Sequence, residues 1–443
     1  MDDSHETVRV APASPGDTGQ RARTDAGVPG ATRVEKQHSL PDGEVTPRVR
    51  QPDGGSNAPS TQPAHTGKSA HPGKSDKPRN KNRPRRGKNR GTQQRCHAAI
   101  DLGTNNCRLL IAKPSNPGFE VVDAFSRIVR LGEGLGTHNM LTEGAMDRAI
   151  SALRICASKM RRRNVVSARV VTTQACRHAD NADVFMQRVA RETGLELEVL
   201  SPEDEARLAV LGCAPLLDRK AKRALVFDIG GGSTELVWLD LSDKSQNGEP
   251  ELLAWASLPV GVVTLADRYD GRTVNRSGYE AMVSEVKALL DNRPWSEELD
   301  TELSQAVANG DIHLLGTSGT VTTIAGIHLG LKRYDRSKVD GIWVDFADVA
   351  AVTDGLSIMN FEERASVPCI GKERADLVLA GCAILEAIQT SWPCERLRVA
   401  DRGLREGILI TLMREERRNQ KRKRRRRRGG RNRRPPGANP ANK

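Results

Sequence analysis

Two short segments of this 443-residue chain end an apolar run with a carboxylate and follow it with a glycine turn. The first is Ile100-Asp101-Leu102-Gly103-Thr104-Asn105-Asn106-Cys107-Arg108. Gly103 permits a tight backbone turn, and Thr104 and Asn105 can offer N–H and O–H donors to an anion such as phosphate. An ordinary polar hairpin turn has the same composition. The second is Phe227-Asp228-Ile229-Gly230-Gly231-Gly232-Ser233-Thr234-Glu235. A plain hairpin needs one or two glycines, and each further one costs roughly 0.5–1 kcal/mol relative to Ala. The surplus lets backbone N–H groups approach a ligand closely. Asp228 and Glu235 flank this loop with the oxygen ligands that a hard cation prefers. A third segment, Gly316-Thr317-Ser318-Gly319-Thr320, joins an apolar run to a helix start, where anions are favoured. A capped helix after a strand would look the same.

Elements must bring these residues together. Ala98–Leu102 reads as a buried strand, Cys107–Ala112 as its hairpin partner and Phe119–Phe125 as a third strand. Met146, Ile150, Leu153, Ala157 and Met160 keep helical spacing over Glu143–Arg163. A strand at 168–172, a helix at 183–193, a strand at 195–200 and a helix at 203–217 follow. The pattern restarts with strands at 224–229, 234–240 and 252–258. Helices near 277–292, 297–308, 320–329, 346–359, 373–390 and 403–418 follow, with strands at 312–316 and 397–400. This alternation predicts an α/β fold with sheets between helices. The restart predicts two halves, 96–222 and 223–400, facing a cleft, with residues 401–418 as a closing helix.

The charge is divided unevenly. The chain carries +13 overall, but residues 1–95 carry +8, residues 414–443 carry +13 and the intervening body is acidic. Residues 1–95 contain no Phe, Tyr or Trp and are rich in Pro, Gly, Ser and charged residues. They cannot bury enough apolar surface to offset chain entropy, so disorder is expected there and in the Arg-rich tail 419–443. No run of about 18 apolar residues exists, so no membrane-spanning helix is expected. The acidic N-terminus, with no apolar segment behind it, does not read as a secretory signal. The eight cysteines are scattered without a CxxC pair, which fits neither a zinc site nor a disulfide scaffold. A cytoplasmic chain with reduced cysteines is the expectation. No Cys–His or Ser–His arrangement marks a covalent nucleophile.

Taken in order, IDLGTNNCRLLIA, VVTTQACRHADN, LELEVLSPEDEARLA, VFDIGGGSTELVW, SLPVGVVTL, LLGTSGTVTTIAG, ERADLVLAG and VADRGLREGIL carry a resemblance. Over about residues 96–416 the chain resembles the exopolyphosphatase/guanosine pentaphosphate phosphohydrolase family, within the actin–sugar kinase–Hsp70 ATPase superfamily. The resemblance implies two ribonuclease-H-like domains across a central cleft. It implies hydrolysis of terminal orthophosphate from inorganic polyphosphate, with guanosine pentaphosphate as the rival substrate. Glu205 takes the place of the family's catalytic glutamate, which orients or deprotonates water. Asp101, Asp228 and Glu235 match positions near a magnesium ion and its waters. Arg108 and Arg374 match residues that contact phosphoryl oxygens. The turns at Gly103, Thr104 and Asn105 and at Gly230, Gly231, Gly232 and Ser233 should cradle the terminal phosphates.

A homodimer is a further family-level expectation. Larger members carry an additional helical C-terminal region, so a short form is expected here. Two departures stand out: Ser318-Gly319 where members usually have two glycines, and Asp340 before Gly341 where many have His. The cationic run through residues 421–434 would attract polyanions by counterion release, either long polyphosphate or RNA. It has no interleaved aromatic and hence no base-stacking platform. Two readings of other classes compete. A sugar kinase shares the phosphate turns but does not account for the Glu205 motif. A non-catalytic RNA-binding protein acting through its tails does not account for carboxylates beside phosphate turns.

Overall fold

The computed structural model describes residues 95–242 and 250–431, with residue 137 and residues 423–431 described by backbone alone. The disorder expected before Arg95 and after Arg431 lies outside the described residues. Five strands form the first sheet: β1 (Cys96–Leu102), β2 (Asn106–Pro114), β3 (Phe119–Ile128), β4 (Val165–Thr172) and β5 (Glu198–Val199). Their order is β3-β2-β1-β4-β5; β3, β2 and β1 are antiparallel, and β1, β4 and β5 are parallel. Six form the second: β6 (Arg223–Ile229), β7 (Thr234–Asp240), β8 (Glu251–Leu258), β9 (Ile312–Thr317), β10 (Trp343–Asp345) and β11 (Arg396–Ala400). Their order is β10-β11-β9-β6-β7-β8. Again β8, β7 and β6 are antiparallel and β6, β9 and β11 parallel. The second sheet therefore repeats the first, with β10 added at one edge. This is the actin-like, ribonuclease-H-like α/β architecture.

The central strands are apolar on both faces because helices cover both. Ala98, Ala99 and Ile100 of β1 and Leu225, Val226 and Phe227 of β6 are all buried. Helix α1 (Glu143–Arg162) packs in the core of the first half, and five helices bear on the site: α2 (Gln174–His178), α3 (Pro202–Cys213), α4 (Gly319–His328), α5 (Val378–Ser391) and α6 (Leu404–Arg431). The start of α3 is strongly specified. The Ser201 hydroxyl accepts from the Asp204 N–H, Pro202 occupies the first turn, and Glu203, Asp204 and Glu205 meet the positive end of the dipole. Although α6 follows the second sheet in sequence, it packs on the first. Leu404, Ile408, Leu409 and Met413 bury against Ala99, Leu110 and Val171. The backbones of α3 and α6 touch at Gly407, where a Cβ would fall 2.0 Å from the Leu208 carbonyl oxygen.

Three expectations are corrected. The strand expected at 195–200 pairs only over Glu198–Val199, since it forms a short sheet edge. The helix expected from 373 begins at Val378, and residues 372–376 form a turn after Gly371, whose φ is 72°. The last helix does not stop near residue 418 but runs to Arg431. Arg and Lys are good helix formers, which favours propagation of an already nucleated helix, although like charges and Gly429-Gly430 oppose it.

Candidate active site

The two hairpins end in equivalent turns. Gly103 N–H donates to the Asn106 carbonyl at 2.9 Å, and Gly230 N–H donates to the Ser233 carbonyl at 2.9 Å. Asp101 pairs across β1–β2 with Arg108, and Asp228 pairs across β6–β7 with Glu235. The strand ends therefore deliver three carboxylates and a guanidinium to one place. All thirteen residues expected at the site line a single cavity of about 130 Å³. Glu205 arrives from the first turn of α3, and Arg374 from the turn before α5. Ser318, Gly319 and Thr320, at the start of α4, complete the wall.

The triple glycine serves a purpose beyond approach to a ligand. A Cβ on Gly231 would lie 2.9 Å from Thr104 Cβ and 3.1 Å from Asn105 N, so the glycine lets the two turns press together. Among the described residues, the N–H groups of Thr104, Asn105, Gly231 and Gly232 have no hydrogen-bond partner and stay available to an anion. The Ser233 hydroxyl is spent differently from the expected phosphate contact. It donates to Glu235 Oε1 at 2.6 Å, and Ser257 donates to the same oxygen at 3.0 Å.

Burial dominates the electrostatics. It raises the Asp101 carboxyl above its ordinary range against the pull of Arg108 and Arg405. Burial and the neighbouring Glu235 push Asp228 up to about 7. Burial also raises Glu235, against the two serine hydroxyls. Glu205 rises well above the carboxylate range through burial and the charge of Glu235, and Arg177 opposes this. Desolvation raises all four carboxylates although Arg108, Arg177 and Arg405 oppose it, and a bound cation would favour their ionised forms. Among the described residues no group of three His, Cys, Asp or Glu side chains closes on one point as a ready-made cage. Magnesium does not need one: it keeps several waters and is held by one or two carboxylates plus substrate phosphates. Asp101, Asp228 and Glu235 fit a hydrated ion of that kind.

Three groups near the site escaped the sequence reading. Arg177, from α2, donates to Glu205 Oε2 at 2.8 Å and to the Leu200 carbonyl at 2.8 Å. It holds one carboxylate oxygen and leaves the other for the cavity. Arg405 lies beside Asp101 and Arg108, and Leu404 lines the cavity. Their only sequence signal was membership in VVTTQACRHADN and VADRGLREGIL. Nothing in local pattern separates a buried arginine from a solvated one. Ser318 sits at φ 135°, a backbone conformation that glycine adopts more readily than serine.

The family model described as the Ppx/GppA phosphatase family matches residues 110–416. The chain is 29% identical over 329 residues to a guanosine-5'-triphosphate,3'-diphosphate pyrophosphatase of Photobacterium profundum. It is 30% identical over 321 residues to one of Vibrio parahaemolyticus. Each alignment covers 72% of this chain and 59% of the relative, so the chain spans about three-fifths of those proteins' length. Among solved structures, the Aquifex aeolicus Ppx/GppA family member is 28% identical, with a TM-score of 0.58 over 73% of this chain and 98% of that one. An exopolyphosphatase of Cytophaga hutchinsonii shares the fold at 24% identity, with a TM-score of 0.63 over 72% of this chain and 97% of that one.

Proposed function

We propose that this chain, which belongs to the Ppx/GppA phosphatase family, hydrolyses a terminal phosphoanhydride bond and releases orthophosphate, with inorganic polyphosphate as its substrate. One observation carries the reading. Buried carboxylates share a cavity with Arg108 and Arg374, neither of which has an ion-pair partner among the described residues, between two turns with free N–H groups. A module that only binds a polyanion gains nothing from carboxylates that repel it, whereas a hydrolase needs one to align water.

Phosphoryl transfer is mostly positioning and electrostatic stabilisation. Arg108, Arg374 and the turn N–H groups would take the oxygens of the terminal phosphoryl group. Glu205, steadied by Arg177, would align the attacking water and accept its proton. Its raised carboxyl suits a base working nearer neutral pH. A hydrated magnesium ion near Asp101, Asp228 and Glu235 would neutralise charge on the leaving phosphate when bound. The basic residues 421–434 would hold long polyphosphate or RNA through phosphate charge, and the activity would be cytoplasmic.

Guanosine pentaphosphate is the second reading, supported by the names of the Photobacterium and Vibrio relatives. The deciding experiment measures magnesium-dependent phosphate release from long polyphosphate and from guanosine pentaphosphate, offered separately. Faster release from polyphosphate is expected. Glu205→Gln should keep the fold by circular dichroism and lose about 10²–10⁴-fold in turnover. Unchanged turnover in that variant would remove Glu205 from the reaction.

A further inference from the structure

The segment that follows β3 is laid backbone to backbone on the first phosphate turn. The Val129 and Arg130 N–H groups both donate to the Asn105 carbonyl, at 2.9 and 3.0 Å, and the Gly132 N–H donates to the Thr104 carbonyl at 2.9 Å. The fit is close: a Cβ on Gly132 would fall 2.2 Å from Thr104 Cγ2. Within this segment Arg130 adopts φ 47°, a left-handed conformation that glycine or asparagine takes more readily than arginine. Backbone preference therefore does not account for an arginine at this position; its side chain does.

The Arg130 guanidinium crosses from the first half to the second. It lies 2.9 Å from Asp376 Oδ2, donates to Asp376 Oδ1 at 3.1 Å and donates to the Glu373 carbonyl at 3.1 Å. Glu373 and Asp376 bracket Arg374, which lines the catalytic cavity, whereas Arg130 does not. The same turn is anchored from within its own half. Arg364, a buried arginine, donates to the Ala375 carbonyl at 3.2 Å, Met359 at 2.9 Å, Gly271 at 3.0 Å and Arg272 at 3.3 Å. A Cβ on Gly271 would meet the Asp376 carbonyl oxygen at 1.9 Å, so the turn rests directly on that backbone. Arg364 thus fixes the turn to the second half, and Arg130 fixes it to the first. The setting is acidic. Burial and the charge of Glu133 raise the Asp267 carboxyl, Asp376 adds to this, and Arg130 opposes it. Removing Arg130 leaves the repulsion between Asp267 and Asp376 without that counter-charge.

We propose that Arg130 is a positioning residue, a strut across the cleft that holds Arg374 at a fixed distance from the first phosphate turn so that both grip the same terminal phosphoryl group. This rests on the phosphohydrolase reading and deepens it. Arg130 contacts no reacting atom and acts through the two turns that it joins. Its backbone is bonded to the turn whose N–H groups face the substrate, and its side chain to the residues on either side of Arg374. Arginine suits the task because its planar fork takes two acceptors at once, which the point charge of lysine does less well.

The test is a double-mutant cycle on the full chain: the unaltered protein, Arg130→Asn, Arg374→Gln and both together. Asparagine tolerates the left-handed backbone, so Arg130→Asn should keep the circular dichroism spectrum of the unaltered protein. Two quantities are measured: magnesium-dependent phosphate release from long polyphosphate, and calorimetric binding of tripolyphosphate. Arg130→Asn should lower kcat/KM by about 10- to 100-fold, the scale of a misplacement of about 1 Å. It should weaken tripolyphosphate by up to about tenfold, the worth of one charge-assisted hydrogen bond. In the Arg374→Gln background the same substitution should change either quantity by less than about twofold, because the group it positions is already gone. Arg130→Lys should recover part of the loss. Asp376→Asn cuts the strut at its other end and should reproduce the loss. Equal fractional losses in both backgrounds would make Arg130 a general support of the fold and overturn the proposal. Full activity and binding in Arg130→Asn or in Asp376→Asn would overturn it too. Absent phosphate release by the unaltered protein counts against the phosphohydrolase reading, while the binding cycle still decides the strut; absent binding overturns both.

Discussion

Glu205 illustrates how one side chain acquires its properties from residues far away in sequence. Its position in a helix-start motif would leave it a solvated carboxylate. Burial and Glu235 raise its carboxyl, and Arg177 restrains that rise while fixing one oxygen. Removing Arg177 should therefore raise the carboxyl further and leave less of it ionised at neutral pH. Arg177→Met is expected to shift the acid limb of the pH–rate profile upward and to lower turnover at pH 7. Arg177→Lys should restore part of it. A profile that keeps its shape in both variants would mean that Arg177 only supports the Leu200 carbonyl.

The start of α4 shows a conflict between backbone and cap. Ser318 adopts φ 135°, a left-handed region that costs a non-glycine residue about 1–3 kcal/mol. Its hydroxyl compensates by accepting from the Thr320 N–H at 3.2 Å and the Val321 N–H at 3.4 Å. Replacing it by glycine removes the strain and loses only about a few tenths of a kcal/mol of capping. The more flexible unfolded chain offsets about 0.4–1 kcal/mol of that gain. Ser318→Gly should thus melt at or slightly above the wild-type temperature. Ser318→Ala keeps the strain and loses the cap, and should cost about 1 kcal/mol. Calorimetry of the pair separates the two effects; a Gly variant less stable than the Ala variant would contradict the strain argument. The α3–α6 contact makes a related point, since Gly407 brings Glu205 and Leu404 to the same cavity by letting two helix backbones touch.

At the scale of the molecule, stability and activity respond to pH through different groups. His313 is buried in β9 against Trp343, with ring centroids 5.1 Å apart. Neither of its ring nitrogens has a hydrogen-bond partner. Burial lowers its pKa from 6.5 to about 4. Between those values the unfolded chain binds a proton that the folded protein refuses, so stability falls as pH drops from about 6.5 towards 4. His313→Phe should remove this loss and gain about 2 kcal/mol over wild type at pH 5, relative to pH 8. Denaturant unfolding at the two pH values measures it; an identical difference at both would exclude His313 as the source.

The repeat was legible in the sequence because both halves place an Asp at the end of an apolar run and follow it with glycine. Period-two and helical spacing are local, and they located most strands and helices. The motif order added Glu205 and Arg374 to the site. Less local matters were not legible. The short pairing of β5 and the turn at 372–376 depend on edge position and on a left-handed Gly371. The use of Gly231 to join two turns, the engagement of the Ser233 hydroxyl by Glu235 and the approach of Arg177 and Arg405 depend on which segments meet. Residue types and their spacing by themselves determined the doubled α/β plan and the chemistry on offer. Only the tertiary structure decided which charges are buried, which are paired and which remain for a substrate, because burial and pairing arise from contacts between segments distant along the chain.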